Sequence, residues 1–290
     1  MKKFVRKIEC MLDFVFILSV LLVVWLLLQV TSLASFSVPS SSMEPTLQSG
    51  DCILVNKWVI GARIFNPWDV AEGKETKVCR LPGMRKAKRN DVLVFHNPYP
   101  IMEDSLSMDM QKYYVKRCVG LPGDTVVIKN CCYRVNGTNE VLGHLPTQEH
   151  LARLEEFDIK NICMETFPWD KFLGWTVCEF GPLPVPAVGQ VVAIDTITVK
   201  LYRQLVEWEQ KQKLHVDGTH VYLGDSIIGE YRFKGNYYFM AGDKVMNSRD
   251  SRYWGLLPES YIVGVATRIW KSVDPYTKKI RWERVWKKIE

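Results

Sequence analysis

The sequence predicts a mainly β protein with minor helix, set behind a single N-terminal membrane helix. Three observations predict it. The run from Phe14 to Leu28 is apolar apart from Ser19. Beyond it, short segments rich in Val, Ile and aromatic residues alternate with turns built from Gly, Pro, Asn and Asp. A helical spacing of apolar residues stands out at Thr196 to Lys211.

The apolar run, extended by Gln29 to Leu33, reaches the roughly 20 residues that cross a bilayer as helix. A cleaved secretory signal is the rival, because Ser32-Leu33-Ala34 has small residues at the right spacing, but such apolar regions usually hold about 7 to 15 residues. Lys2, Lys3, Arg6 and Lys7 precede the run, so the positive-inside rule keeps the N-terminus in the cytoplasm and sends the remainder across. Strands are expected at Cys52–Val55, Val92–Phe95, Tyr113–Val119, Thr125–Ile128, His220–Leu223, Tyr237–Met240 and Tyr261–Ile269. In the helical stretch Ile197, Leu201, Leu205 and Trp208 form one apolar face. The cluster Gly181 to Pro186 reads as loop. After Asp274-Pro275, residues Trp282, Val285, Trp286 and Ile289 share one face of an expected basic amphipathic helix, suited to a membrane surface or to packing on the parent domain. The expected division is 1–13 cytoplasmic, 14–36 transmembrane anchor, 37–130 with 236–270 as core, 131–235 as an inserted β-rich elaboration, and 271–290 as the basic C-terminal segment.

At 290 residues with 47% hydrophobic content, the chain can bury a substantial core. A net charge of +6, with both signs interspersed, lacks the basic stripe of a nucleic-acid binder. Eight cysteines include Cys10 on the near side of the membrane run, which leaves an odd number beyond it. No Cys-x-x-Cys is present, and His144, Glu149 and His150 lack zinc-protease spacing, so no metal or cofactor is expected. Cys118 reads as a small core residue.

Three polar patches carry candidate chemistry. Val38 to Leu47 places Ser40, Ser41 and Ser42 between prolines, as either a constrained loop or a plain linker. In Tyr113 to Asp124, strand alternation puts Tyr114, Lys116 and Cys118 on one face, so Lys116 is either a buried amine or a lysine snorkelling from a strand edge. Burial would lower its pKa and make it a base for a serine. In Met240 to Gly255, Asp250 and Arg252 can pair and Ser248 can orient a lysine, with a solvated loop as the alternative.

Taken in order, Pro39-Ser40-Ser41-Ser42-Met43-Glu44-Pro45-Thr46-Leu47, Arg89 to Phe95, Lys116 to Asp124, and Gly242-Asp243 with Asn247 to Gly255 resemble the type I signal peptidase family, Ser-Lys peptidases of bacterial membranes. The resemblance implies a signal-peptidase-like β-fold, with Ser42 as nucleophile, Lys116 as general base and Ser40 as oxyanion donor. It also implies Ser248, Asp250 and Arg252 as supports, and Met43 and Tyr114 as residues lining a pocket for small side chains. The implied substrates are exported preproteins cut after small-x-small residues at the outer face of the cytoplasmic membrane. The lipid bilayer and the protein-export translocon are the further partners. Lys244-Val245-Met246 departs from the family's more polar stretch. The alternatives are an inactive, membrane-anchored binding member of the family and a specialised peptidase with few substrates.

Overall fold

The computed structural model describes residues 2–66, 68–69, 72, 78–99, 105–154 and 162–290, without the side chains of 2–10 and 27–31. Helix α1 spans Lys2–Thr31. Among the described residues no helix is long and apolar enough to cross a membrane, and part of the expected span, 27–31, lies outside the described side chains. The anchor was expected to run to 36, but strand β1 (Leu33–Ser37) already begins at Leu33. It pairs antiparallel with β2 (Asp51–Asn56), with Leu33 opposite Asn56 and Ala34 opposite Val55. The small residues at Ser32-Leu33-Ala34 thus sit at a helix–strand junction, their backbone tied into a sheet.

That sheet has seven strands in the order β1, β2, β17 (Ile262–Ser272), β5 (Val92–Asn97), β6 (Asp109–Gly120), β15 (Tyr237–Ala241) and β16 (Leu257–Pro258). A short ladder joins β3 (Arg63–Ile64) to β4 (Cys79–Arg80). Because successive side chains of a strand point to opposite faces, β5 feeds two cores. Leu93 and Phe95 enter the larger one, while Val92 and Val94 enter a smaller one with Val38, Met43, Leu47, Ile53 and Ile269. This explains why β5 is buried at every position despite being a short antiparallel strand.

Residues 131–235 supply most of the smaller ladders. β7 (Thr125–Lys129) lies between β8 (Cys132–Val135) and β9 (Phe180–Pro184). The cluster expected as loop at Gly181 to Pro186 therefore contains a strand, and its prolines are tolerated because β9 is an edge. Cys131 and Cys178 form a disulfide, and Cys118 is fully buried with a free thiol. Helix α2 (Leu145–Ala152) precedes β10 (Val191–Ala193), which pairs with β14 (Glu230–Arg232). Helix α3 (Thr198–Gln210) buries Leu201 and Leu205, as its spacing predicted, while Ile197 stays exposed. A meander of β11 (Leu214–Asp217), β12 (His220–Leu223) and β13 (Ser226–Ile228) follows.

The C-terminal segment is not the amphipathic helix its spacing suggested. Only Trp282–Arg284 makes a helical turn, and Trp286 has φ +65°, which a right-handed helix does not accept. Backbone hydrogen bonds go to β17 instead, from Ile269 N to Lys287 O and from Ile289 N to Thr267 O. The buried Arg284 then reaches Asp51 at 2.6 Å, and the pair anchors this strap to the sheet.

Candidate active site

Three separated segments meet at one end of the main sheet. The first leaves β1 and turns through Ser42. Val38 N donates to Asp51 O and Gly50 N to Val38 O, which closes the loop, and the fully buried Met43 and Leu47 pin it from inside. Ser42 is held half-buried and Ser40 exposed, with their hydroxyl oxygens 3.4 Å apart.

The second segment is β6. Its alternation turns Lys116 inward beside Cys118, leaving the lysine 3% exposed. Lys116 Nζ donates to Ser42 Oγ at 2.5 Å. Burial pushes the lysine pKa down to about 8; Asp250 and Asp243 act against this, and Arg252 adds to it. A neutral amine is therefore accessible near neutral pH, in contact with a hydroxyl.

The third segment follows β15 and runs into the short helix α4 (Ser251–Trp254). Asp250 and Arg252 form an ion pair at 2.8 Å with both side chains fully buried. Burial alone would raise the Asp250 carboxyl, but Arg252 and Lys116 outweigh it and hold the pKa below the usual range. Asp250 Oδ2 also accepts from Gly242 N at 2.8 Å, which fixes the backbone beside the serine. A Cβ at Gly242 would lie 2.1 Å from Ser248 Oγ and 2.6 Å from Ser42 O, so only glycine fits. Ser248 is buried here, yet its hydroxyl has no hydrogen-bond partner among the described residues. The structure brings Ser248 to the site without the lysine contact expected of it.

Met43 requires a correction. It was expected to line a substrate pocket, but at 1% exposure it is a packing residue of the smaller core and offers no surface to a ligand. Tyr114 is exposed and sets its ring edge-on to Phe95.

Several residues to which the sequence assigned no contact meet at the site. Lys244 N donates to Ser42 O at 3.1 Å, Lys244 Nζ pairs with Glu44 at 2.7 Å, and Asn247 Nδ2 donates to Ser41 Oγ at 3.2 Å. Arg117 makes two 2.7 Å bonds to Asp243 and reaches Thr46 Oγ1 and Glu290 O. The inserted region also touches the site, since Thr147 Oγ1 donates to Asp243 O and Phe167 N donates to Arg252 O. Opposite charges at Glu44 and Lys244 were the visible signal for one of these contacts; the others join residues whose proximity only the fold creates.

A mainly β fold carrying a serine in contact with a buried lysine defines the setting of a serine hydrolase. The model of the family described as "Signal peptidase, peptidase S26" matches residues 11–271, and the chain belongs to that family. It is 28% identical over 256 residues to signal peptidase I of Buchnera aphidicola subsp. Schizaphis graminum, covering 82% of this chain and 68% of that one. Signal peptidase I of Pseudomonas aeruginosa is 29% identical over 248 residues, 82% of this chain and 64% of the relative. That of Helicobacter pylori strain J99 is 26% identical over 294 residues, covering 94% and 90%. A solved signal peptidase I from Enterococcus faecalis V583 shares 19% identity over 63% of this chain and 97% of that one, at a TM-score of 0.31.

Proposed function

We infer that the chain is a signal peptidase, a serine endopeptidase that removes N-terminal signal peptides from exported preproteins. The observation that carries this is the 2.5 Å contact between Lys116 Nζ and Ser42 Oγ, with the lysine buried and its pKa near 8. In this reading neutral Lys116 takes the hydroxyl proton as Ser42 Oγ attacks the scissile carbonyl, and then gives that proton to the leaving amine. A water, deprotonated by the same amine, hydrolyses the acyl-enzyme. Ser40 Oγ and the Ser42 N–H receive the developing oxyanion, and one such donor is typically worth about 100- to 1000-fold in rate. Asp250 and Arg252 hold Gly242, and so support the backbone against which Ser42 rests; Ser248 is kept within that support.

The substrate is read as an extended strand. β15 covers β6 only from Arg117 to Gly120, and toward Tyr113 that edge has no strand partner among the described residues. Such an edge accepts an added strand, with Tyr114 facing its side chains and the small-x-small residues lying before the cut. The anchor is read as α1, single-pass with the N-terminus inside the bacterial cytoplasmic membrane and the catalytic domain on the outer face. A substrate whose cleavage site follows its own membrane segment then meets the enzyme at raised effective concentration.

Ser42→Ala and Lys116→Ala are each expected to lower preprotein cleavage by three orders of magnitude or more, roughly the scale seen when a nucleophile or its base is removed. Near-normal cleavage by either variant refutes the dyad.

A further inference from the structure

A groove of about 1230 Å³ lies outside the region of Ser42 and Lys116, between α3, the Phe167–Phe172 turn and β11. Its lining joins exposed apolar groups to charge. Phe172 is 83% exposed and Trp169 45%, an unusual loss of burial for aromatic rings. The cations reach outward, with the Lys200, Arg203 and Lys213 side chains 41%, 53% and 81% exposed, whereas their partners Asp170 and Glu207 are 20% and 12% exposed. A ligand entering the groove therefore meets positive charge and aromatic surface.

Backbone is on offer as well. Among the described residues β11 pairs only with β12, and Leu214 and Val216 from its other edge line the groove. The Leu214 N–H and C=O are taken by Glu207 and Arg203, so the Val216 N–H and C=O are what this edge offers a peptide, beside the exposed His215 and Asp217. The floor is tied to the catalytic segment, since Phe167 N donates to Arg252 O at 2.8 Å, Trp169 Nε1 to Tyr253 O at 3.0 Å and Tyr253 OH to Cys163 O at 2.9 Å.

We propose that this groove is an exosite that binds an extended acidic segment bearing an aromatic residue, supplied by the exported preprotein itself. The proposal rests on the peptidase reading for the source of the segment. An open strand edge recognises a peptide backbone, exposed cations select carboxylates, and the Phe172 and Trp169 rings provide the anchoring contacts. A recess with carboxylates set into its walls suits a polypeptide better than the dense phosphates of a bilayer surface. Preproteins carrying such a segment then reach the active site with a lower KM than those without it.

Binding is tested on the full chain in detergent micelles, with Ser42→Ala to prevent turnover, by fluorescence anisotropy of a labelled peptide of alternating Glu and Phe. Saturable binding is expected, with a Lys-for-Glu peptide at least about tenfold weaker. Phe172→Ala and Lys213→Glu are each expected to weaken binding by about tenfold, which corresponds to one interface anchor. Phe172 projects into solvent, so the melting profile of Phe172→Ala stays that of the parent; Lys213→Glu also gives up the 2.7 Å pair with Glu207, and where it melts early Phe172→Ala alone decides. Photo-crosslinking from the peptide Phe to the 167–173 or 213–217 peptides gives a second, mutation-free readout. Equal binding of both peptides, indifference to both variants, crosslinks elsewhere, or displacement by phosphatidylglycerol vesicles instead of unlabelled peptide overturns the exosite. Because turnover plays no part in this measurement, failure of the peptidase reading appears separately, as failure of the wild type to cut a short small-x-small peptide.

Discussion

Replacing Lys116 by Met should make the protein more stable while removing its activity. An unfolded lysine titrates at the ordinary 10.5, whereas burial brings Lys116 down to about 8. At about 1.4 kcal/mol per pH unit, holding this side chain in the fold costs about 3 kcal/mol at pH 7. Methionine has a similar shape and no charge, so it removes that cost but also the hydrogen bond to Ser42 Oγ, which contributes about 1 kcal/mol. A net gain of about 2 kcal/mol follows at pH 7. The sign of the pH dependence is fixed: between pH about 8 and 10.5 the unfolded chain binds the extra proton, so wild-type stability rises with pH across that window. By pH 10.5 the cost falls well below the about 1 kcal/mol of the hydrogen bond, so the advantage of the variant should vanish. Urea unfolding of both chains in the same micelles at pH 7 and 10.5 measures this, and the difference between them cancels the titration of every other lysine and tyrosine. A variant less stable than wild type at pH 7, or a difference that does not change with pH, would falsify the account of Lys116 as a strained, desolvated amine.

Cleavage by the wild type should rise about tenfold per pH unit below pH 8 and level off above it, as the amine becomes neutral; a kcat/KM profile flat from pH 6 to 9 excludes Lys116 as base. Gly242→Ala forces a Cβ against Ser248 Oγ and Ser42 O, and steady-state kinetics should show kcat reduced by at least about tenfold with KM little changed. Lys244→Ala keeps its backbone bond to Ser42 O and loses only the half-exposed pair with Glu44, so its effect on kcat should be much smaller. Arg284→Ala leaves the buried Asp51 carboxylate with only the longer 3.5 Å pair to Arg281 and its bonds from Ser272 and Gln48 N, and should destabilise the fold by about 3 kcal/mol in urea unfolding. Burial would raise Asp51, but Arg284, Gln48 N and Ser272 outweigh it and lower its pKa, so the stability this network gives is present at neutral pH and lost as pH falls through the carboxylate range.

Local pattern made parts of this molecule legible from its sequence. Apolar spacing revealed α3, and Val, Ile and aromatic content revealed most of the main sheet, because those signals reflect the burial of one face. The strap at Trp282 to Ile289 was illegible for the same reason. Its i, i+3, i+4 spacing matched a helix, but the backbone bonds to β17 and the Arg284–Asp51 pair are long-range, and they outweighed a local preference for helix. β9 was hidden by its prolines, which an edge strand accepts. At the site, the contact of Ser42 with Lys116 depends on a sheet order that places β6 beside β5 and the serine loop over its end, and no spacing encodes that. Met43 shows the converse case: the family resemblance implied contact with substrate, but strand and loop geometry turned it into the core.

Lys244-Val245-Met246 looked like a departure that endangered the site, and the structure explains why it need not. The bond that matters there runs from the Lys244 backbone N–H to Ser42 O, and a backbone donor does not depend on the side chain it carries. Val245 is 2% exposed and fills the larger core, while its carbonyl accepts from Arg252 Nη2 at 2.9 Å, so the apolar substitution adds packing and keeps the polar link. Lys244 then finds Glu44 on the serine loop, and Asn247 finds Ser41. Three contacts from one turn grip residues 41–44. The strict requirement falls instead on Gly242, where any side chain would displace both Ser248 and the Ser42 carbonyl. Tolerance at 244–246 and intolerance at 242 have the same origin: the bond that fixes Ser42 comes from the Lys244 backbone, and backbone geometry is indifferent to most side chains and unforgiving of a Cβ in the wrong place.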